Sequence, residues 1–220
     1  MHFQVLLGLL TIWFGVMSKN PIIVFEGIES SGKSLHIKNV AKYLRKKNRK
    51  FIQIREPGGN INSEKIRRLI LNKKSNFNKT TDLLLYMASR SENVEKTIKN
   101  NIGKKIILID RFVDSTIAYQ HYGMDIDLNF INSINKFILK NITIDFTFLN
   151  IVNELNMKIR LSKRSTLNRY DIFKMAFYKK VQLGFIKLAT KNKKKYKIID
   201  SNIEIEKNKK IILNTIDKLI

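Results

Sequence analysis

Cysteine is absent from the 220 residues, and proline occurs only at Pro21 and Pro57. Without thiols the chain can form neither a disulfide nor a thiolate metal site, which suits a reducing compartment. The three histidines, His2, His36 and His121, are far apart and lack the spacing of metal ligands. The composition therefore excludes a disulfide scaffold and gives no sign of a histidine metal centre.

Acidic residues are few, because 18 Asp and Glu face 42 Lys and Arg, for a formal net charge of +24. A nucleic-acid-binding surface concentrates its cations on one face, with aromatic residues between them. Here lysine is spread over nearly every segment, and we expect the densest run, Lys191 to Lys195, to be a solvated helix end and turn. The sequence does not favour nucleic acid as the main partner, although the excess charge would attract anionic nucleotides.

The apolar stretch near the N-terminus, from Val5 to Met17, is too short to span a membrane as a helix. A signal peptide is the alternative, but no Lys or Arg precedes the stretch and no small-residue cleavage pair follows it. We expect residues 1–16 to be an extension from a misplaced start codon, with Met17 the true start. Residues 17–220 then form one domain, without a membrane partner.

Five short β-rich runs alternate with amphipathic helical patterns, which is typical of a parallel sheet covered by helices on both faces. The runs are Ile22–Phe25, Phe51–Ile54, Lys105–Asp110, Ile144–Leu149 and Tyr196–Asp200. We predict an α/β fold of three layers, with a five-stranded parallel sheet in the middle. Ligands of such sheets bind at the carboxyl ends of the strands.

A phosphate-binding loop follows the first run directly. It reads Gly27-Ile28-Glu29-Ser30-Ser31-Gly32-Lys33-Ser34, and it matches G-x-x-x-x-G-K-[ST] at every fixed position. Its glycines let backbone N–H groups wrap an anion, Lys33 reaches the outer phosphates, and Ser34 can bind Mg²⁺. Asp110, at the end of the third run, can hold the same ion or its waters. The pattern predicts a P-loop NTPase fold that acts on a nucleoside triphosphate.

Four further segments put charged or aromatic residues where a strand or helix ends. Taken alone, Arg55–Gly59 could be a surface turn and Leu83–Arg90 a core helix. In Asp110–Gln120, polar side chains group toward one helical side and could hold a phosphate and the edge of a base. Arg160–Asp171 carries four cations and suits a short mobile lid at about 160–171, because phosphoryl transfer requires charge on the transferred group to be neutralised. A solvated charge run is the alternative there.

Together these motifs resemble those of the thymidylate kinases, P-loop enzymes that phosphorylate dTMP to dTDP with ATP and Mg²⁺ for dTTP synthesis. "FEGIESSGKS", "REPGG", "LLLYMASR" and "DRFVDSTIAYQ" occur in the family's order and spacing, and the likeness runs from Ser18 to the C-terminus. The resemblance implies a cytoplasmic, homodimeric phosphotransferase. The nearest alternative is a deoxynucleoside kinase or another nucleoside monophosphate kinase, since these share the loop and an Asp-Arg pair. A nucleotide-gated or nucleic-acid-binding module that has lost transfer is an alternative of a different class.

The resemblance implies a role for each matching residue. The loop from Gly27 to Ser34 would bind the ATP phosphates, and Arg111 would clamp the acceptor phosphate. The other contacts with dTMP would be Glu29 to the 3′-hydroxyl, Tyr86 stacking on thymine, Arg90 near the base and phosphate, Thr116 and Gln120 facing the base, and Tyr119 against the 2′ carbon.

The phosphate loop contains no arginine, which is the pattern of the bacterial-type branch, whose lid supplies the arginines instead. Arg160 and Arg164 match these best, with Arg169 opening the next helix. The predicted catalytic residues are thus Lys33, Arg111, Arg160 and Arg164. The chain departs from the family pattern at Asn60, at Asn150 after the fourth strand, at Ser162 and at Asn168.

Overall fold

The computed structural model describes residues 20–220. The expectations that residues 1–16 are an extension and that Met17 is the start lie outside this range. Within it, no helix is both long enough and apolar enough to cross a membrane.

A parallel sheet of five strands forms the centre of the described chain. Its strands are β1 (Ile22–Glu26), β2 (Phe51–Arg55), β3 (Ile106–Asp110), β4 (Phe146–Ile151) and β5 (Tyr196–Asp200). They lie in the order β2-β3-β1-β4-β5, and every neighbouring pair is parallel. Their ends differ from the predicted runs by no more than one or two residues, so the α/β prediction is confirmed.

The two central strands explain the apolar runs in the sequence. β1 is buried along its whole length and β3 along all but its last residue, so both faces of each strand require apolar side chains. Val24 of β1 lies level with Ile109 of β3 and with Thr147 of β4. The outer strands β2 and β5 are more exposed and read as less apolar.

Helices connect the strands. They are α1 (Lys33–Lys46), α2 (Ile61–Leu71), α3 (Lys79–Asn93), α4 (Lys99–Asn101), α5 (Val113–Thr116), α6 (Leu128–Leu139), α7 (Glu154–Ser162), α8 (Met175–Lys191) and α9 (Ile205–Leu219). Two π-helical turns, Val94–Ile98 and Ile117–Gly123, continue α3 and α5, and short 3₁₀ turns occupy Arg169–Ile172 and Lys193–Lys195. The lysine run from Lys191 to Lys195 is exposed, as predicted.

The helices make the outer two of three layers. On one face of the sheet, Leu44 of α1 and Ile216 of α9 belong to the same apolar cluster as Phe25 of β1. On the opposite face, Met87 of α3 clusters with Val24 of β1. Because side chains alternate along a strand, neighbouring residues of β1 supply the two cores.

The order of the strands places a crevice beside β1. β3 and β2 lie on one side of β1, and β4 and β5 lie on the other, so the loops after β1 and β3 leave the sheet next to each other. The Arg111 N–H donates to the Phe25 carbonyl at 3.0 Å, which ties the two loops together where they begin. Ligands of parallel sheets bind at such a point of reversal.

Candidate active site

The loops that follow the strands enclose a cavity of about 470 Å³ at the carboxyl edge of the sheet. Most residues predicted for the site line it, namely Glu29, Ser30, Ser31, Gly32, Lys33, Ser34, Tyr86, Arg90, Asp110, Arg111, Thr116, Tyr119, Gln120, Arg160 and Arg164. Gly27 and Ile28 do not line it, and Ile28 belongs to the apolar core beneath the loop. A cavity of this size suits small-molecule ligands.

Glycine is required where the phosphate loop leaves β1. Gly27 has a φ of +138°, and a Cβ there would lie 2.2 Å from the backbone oxygen of Asn150 on β4, so a larger residue does not fit. Gly32, with a φ of +88°, is the residue before α1. The loop therefore leads directly into a helix N-terminus, whose free N–H groups and dipole attract anions.

Lys33 is folded back into the loop. Its Nζ donates to the carbonyl oxygens of Gly27 and Ile28, each at 2.9 Å, and to Ser31 Oγ at 3.3 Å. Burial, followed by the nearby Arg111 cation, lowers the pKa of the Lys33 ammonium to about 8. A phosphate in the loop would offer this buried cation a stronger partner than the carbonyls do.

Two side chains with oxygen atoms that can bind a metal ion meet beside the loop. The Ser34 hydroxyl donates to Asp110 Oδ2 at 3.2 Å, and both residues line the cavity. Across residues 20–220 no group of three acidic, histidine or cysteine residues could hold a metal ion. The Ser34 and Asp110 pair nevertheless fits Mg²⁺, which commonly takes one or two protein oxygens and completes its shell with substrate phosphates and water.

Arg111 connects the phosphate loop to the helix after β3. Its guanidinium donates to the Gly27 carbonyl at 2.8 Å, to Ser115 Oγ at 3.3 Å and to Glu29 Oε1 at 2.9 Å. The guanidinium carbon lies 5.2 Å from the centre of the Tyr119 ring, and the Tyr119 hydroxyl donates to the other oxygen of Glu29. The structure thus brings Glu29, Arg111 and Tyr119 into mutual contact.

Arg90 is a buried member of the cavity wall, with 1% of its surface exposed. Its Nε donates to Glu56 at 2.8 Å, Nη1 to Asn135 Oδ1 at 2.7 Å, and Nη2 to the Phe112 carbonyl at 2.8 Å and to Thr116 Oγ1 at 2.9 Å. Burial raises the pKa of Glu56, although Arg90 opposes the shift. These partners hold the guanidinium plane in one orientation.

One part of the cavity wall is aromatic. It contains the rings of Tyr86 and Tyr170 beside the amide of Gln120. The rings of Tyr86 and Tyr170 meet edge to face, with centroids 6.0 Å apart, and Gln120 Nε2 lies 3.5 Å from the Tyr170 hydroxyl. Burial, followed by the Asp82 carboxylate, raises the pKa of the Tyr86 phenol, so the ring stays neutral at ordinary pH. A flat ring beside a side-chain amide suits a planar ligand with a hydrogen-bonding edge.

Arg160 lies in the last turn of α7, so the predicted lid begins on a helix. Its guanidinium donates to the Ser30 carbonyl at 3.2 Å and to the Ser201 carbonyl at 2.6 Å. These two bonds place Arg160 against the phosphate loop.

Arg164 lies just after α7 and pairs with the buried Asp171 at 2.6 Å, at the rim of the cavity. Arg169 pairs instead with Asp82 of α3 and does not line the cavity. It opens a 3₁₀ turn rather than an α-helix, and Asn168 caps this turn in a reciprocal capping box with Asp171. Residues 163–168 are thus the non-helical part of the segment predicted to be a lid.

Two more of the departures from the expected family pattern, Asn60 and Asn150, make side-chain hydrogen bonds. Asn60 caps α2, because its side chain accepts the backbone N–H groups of Asn62 and Ser63, each at 3.0 Å. The position predicted for Asn150, after the fourth strand, was wrong. It is the last residue but one of β4, and its buried amide donates to Ser201 Oγ at 3.3 Å.

Arg67 and Tyr170 also line the cavity, although no sequence motif predicts a role for them. Arg67 is half-buried on α2 and donates to the Pro57 carbonyl at 2.6 Å. The "REPGG" turn was the available signal for Arg67, because α2 follows it directly. Tyr170 lies within the segment predicted to be a lid, and the cations of that segment give no signal for a buried tyrosine.

Comparisons with known proteins all lead to one family. A sequence model of the family described as Thymidylate kinase matches residues 25–212. The thymidylate kinase of Mycoplasma capricolum is 37% identical over 188 residues, which cover 84% of this chain and 88% of that protein. The thymidylate kinase of Thermosipho africanus is 39% identical over 186 residues, which cover 84% and 91%.

A solved structure gives the same result. The crystal structure of thymidylate kinase from Ehrlichia chaffeensis matches with a TM-score of 0.74 and 30% sequence identity, over 90% of this chain and 98% of that one. The match to the family model, over residues 25–212, includes the phosphate loop, the end of β3 at Asp110 and the segment predicted to be a lid. The chain therefore belongs to the thymidylate kinase family of phosphotransferases.

Proposed function

We propose that the protein transfers the γ-phosphoryl group of ATP to the phosphate of dTMP, giving ADP and dTDP. The observation that carries this proposal is that the phosphate loop and Arg111 share one cavity, with the guanidinium 2.8 Å from the Gly27 carbonyl. Two phosphate-binding elements this close would hold donor and acceptor phosphates in contact. Membership of the thymidylate kinase family supports the same reaction.

ATP would bind with its phosphates in the loop from Gly27 to Ser34. The loop N–H groups and the N-terminus of α1 would hold the phosphates, and Lys33 would exchange its carbonyl partners for a phosphate oxygen. Ser34 and Asp110 would hold Mg²⁺, which screens the phosphate charge when bound.

The phosphate of dTMP would accept hydrogen bonds from Arg111, with Arg67 as a further cation in the same wall. Glu29 would then leave Arg111 and accept the 3′-hydroxyl of the sugar. Tyr119 would pack against the 2′ carbon, where a ribose hydroxyl would meet the ring. This arrangement would select a deoxynucleotide.

Thymine would lie in the aromatic part of the cavity. Tyr86 would stack on the ring, because its side chain lines the cavity and its buried phenol is neutral. Thr116 and Gln120 would bind the edge of the base, and Arg90 would present the guanidinium that Glu56 orients.

The chemistry requires no covalent enzyme intermediate, since a phosphate monoester oxygen is already nucleophilic near neutral pH. The protein aligns two polyanions and screens their repulsion. Lys33, once turned from its carbonyl partners to a phosphate oxygen, and Arg111 would act without any movement of the lid. Arg160 and Arg164 would move onto the transferring group as the lid closes, and closure would also exclude water as a competing acceptor.

We further propose that the enzyme acts in the cytoplasm as a homodimer. The absence of cysteine suits a reducing compartment. Helices α2 and α3 pack together and leave Ile61, Leu69 and Leu84 with 75%, 52% and 47% of their surface exposed. Exposed apolar side chains of this kind favour an interface. Sedimentation of the purified protein tests the dimer, and a monomer at micromolar concentration would overturn it.

One assay separates the proposed reaction from its alternatives. Purified protein, ATP and Mg²⁺ are incubated with thymidine and with a panel of nucleoside monophosphates, and the products are quantified. We expect dTDP from dTMP as the main product. Phosphorylation of thymidine instead would indicate a deoxynucleoside kinase, and a preference for another monophosphate would indicate another kinase of that class. ATP binding without dTDP, together with salt-dependent affinity for DNA, would indicate a binding module.

A further inference from the structure

Glu26 is a buried acid next to the site that has no part in the proposed mechanism. It is the last residue of β1, it is 1% exposed, and it does not line the cavity. Burial, followed by the neighbouring Asp114 carboxyl, raises the pKa of Glu26 to about 7. A carboxyl group in this position therefore costs stability, and its presence calls for another explanation.

The hydrogen bonds of Glu26 all go to the segment after Arg111. Its Oε1 accepts the N–H groups of Phe112 at 2.8 Å and of Ser115 at 3.2 Å, and its Oε2 accepts the Ser115 hydroxyl at 2.5 Å. The first turn of a helix leaves such N–H groups unpaired, and α5 has no side-chain cap of its own. Glu26 supplies that cap from the neighbouring strand.

The same bonds fix the backbone of Arg111. Arg111 has a φ of +66°, a left-handed conformation that is uncommon for a residue with a side chain. Its own N–H is bonded to the Phe25 carbonyl at 3.0 Å, and the next N–H, that of Phe112, is bonded to Glu26. Adjacent residues of β1 thus hold the peptide groups on both sides of Arg111.

The Glu26 carboxylate also holds the guanidinium of Arg111, through the hydroxyl of Ser115. Ser115 Oγ gives its proton to Glu26 and accepts Arg111 Nη1 at 3.3 Å. Because the hydroxyl proton points to Glu26, the oxygen lone pairs remain free for the arginine.

We propose that Glu26 is a positioning residue, which holds Arg111 through Ser115 and the Phe112 N–H in the orientation that binds the acceptor phosphate. This inference rests on the proposed function, because it assigns Arg111 to the acceptor. Removal of the Glu26 carboxylate should therefore impair the use of dTMP more than the use of ATP.

The test compares Glu26→Gln and Ser115→Ala with the wild type. In Glu26→Gln the amide oxygen can still accept both N–H groups, but the NH₂ group competes with Arg111 for the Ser115 oxygen. We expect the KM for dTMP to rise about tenfold or more, the KM for ATP to change less than about twofold, and the melting temperature to stay or rise. Ser115→Ala should also raise the KM for dTMP.

The double variant tests the relay itself. If Glu26 acts on Arg111 through Ser115, the effects of the two substitutions on the dTMP constant should not multiply. The matched control is Asp145→Asn, at the opposite end of β1, where the carboxylate accepts the Ile22 N–H at 2.8 Å. It should lower the melting temperature and leave both Michaelis constants unchanged.

Several results would overturn the inference. These are a dTMP constant within about twofold of the wild type in Glu26→Gln, equal increases for both substrates, or fully multiplicative effects in the double variant. Should Glu26→Gln fail to fold, an unchanged dTMP constant in Ser115→Ala would refute the relay. The wild type is assayed first, and its failure to form dTDP would instead refute the proposed function.

Discussion

Replacement of Lys33 by methionine should abolish phosphoryl transfer and, at the same time, stabilise the ligand-free protein. Methionine keeps much of the side-chain volume but removes the charge. The ammonium is buried, with 6% of the residue exposed, and only neutral oxygens accept its hydrogen bonds. A buried charge that serves to bind a ligand lowers the free energy of unfolding when the ligand is absent.

The magnitude follows from the pKa. Lowering the pKa of Lys33 from 10.5 to about 8 corresponds to a cost of ~3 kcal/mol for keeping the charge in the fold. The variant removes one hydrogen bond from each of two carbonyls, leaving that of Ile28 with the Ser31 N–H at 3.4 Å and that of Gly27 with Arg111, which costs about 1 kcal/mol each. The net stabilisation is ~1 kcal/mol, and for a domain of this size it raises the melting temperature by about 2–4 °C.

The sign of the pH dependence is fixed as well. Between about pH 8 and 10.5 the native state releases the Lys33 proton while the unfolded chain keeps it. The unfolded state then binds more protons, so the stability of the wild type rises with pH in this window. The advantage of Lys33→Met should therefore be full below about pH 8 and should shrink as the pH rises toward 10.5.

Scanning calorimetry of the ligand-free proteins at several pH values, with a coupled assay of transfer, measures both effects. Loss of one fixed donor to the developing charge lowers turnover at least about a hundredfold to a thousandfold. Lys194→Met is the matched control, because Lys194 is exposed, and it should change neither quantity. A Lys33→Met protein that melts below the wild type, or that keeps near-normal turnover, would refute the reasoning.

Three further predictions concern the other side chains of the cavity. Arg111→Ala should raise the KM for dTMP far more than the KM for ATP in steady-state kinetics; the opposite split would mean that Arg111 serves the donor. Arg160→Ala or Arg164→Ala should each lower kcat by about two orders of magnitude with little change in the Kd for ATP, and lysine should rescue only partly, because an ammonium cannot reproduce the planar guanidinium. If calorimetry showed that the Kd for ATP rises as much as kcat falls, the proposed role of these two arginines would be wrong. Tyr119→Ala should narrow the preference for dTMP over its ribose analogue, measured as the ratio of kcat/KM values; an unchanged ratio would remove Tyr119 from sugar selection.

The apolar runs predicted the strands because the two central strands are buried on both faces and leave little choice of residue. The strands in turn bring the loops after β1 and β3 to one edge of the sheet. Residues as distant in sequence as Glu29 and Arg111 could therefore be assigned to one site. That they touch, with Arg111 at a φ of +66°, could not be predicted, because an arginine gives no signal for a left-handed backbone.

The contacts between side chains of remote elements could not be predicted from the sequence either. Arg169 looks like Arg164 in the charge run, but it pairs with Asp82, which lies 87 residues earlier. The π-helical turn at Ile117–Gly123 changes which residues share a side, so that helical spacing alone does not fix how Tyr119 and Gln120 face the cavity. Both features depend on tertiary packing rather than on local propensity.

In the ligand-free protein both ends of the proposed lid are bonded to the rest of the domain, which would confine closure to turns of the side chains and to the stretch between the ends. At one end Arg160 is bonded to the carbonyls of Ser30 and Ser201, and at the other Arg169 and Tyr170 are bonded to Asp82. The non-helical stretch from 163 to 168, in which Arg164 and Asn168 are bonded to Asp171, has a contour length of about 20 Å. Motions of so short a loop take nanoseconds to microseconds. Closure of the proposed lid would therefore be a local rearrangement rather than the swing of a whole domain.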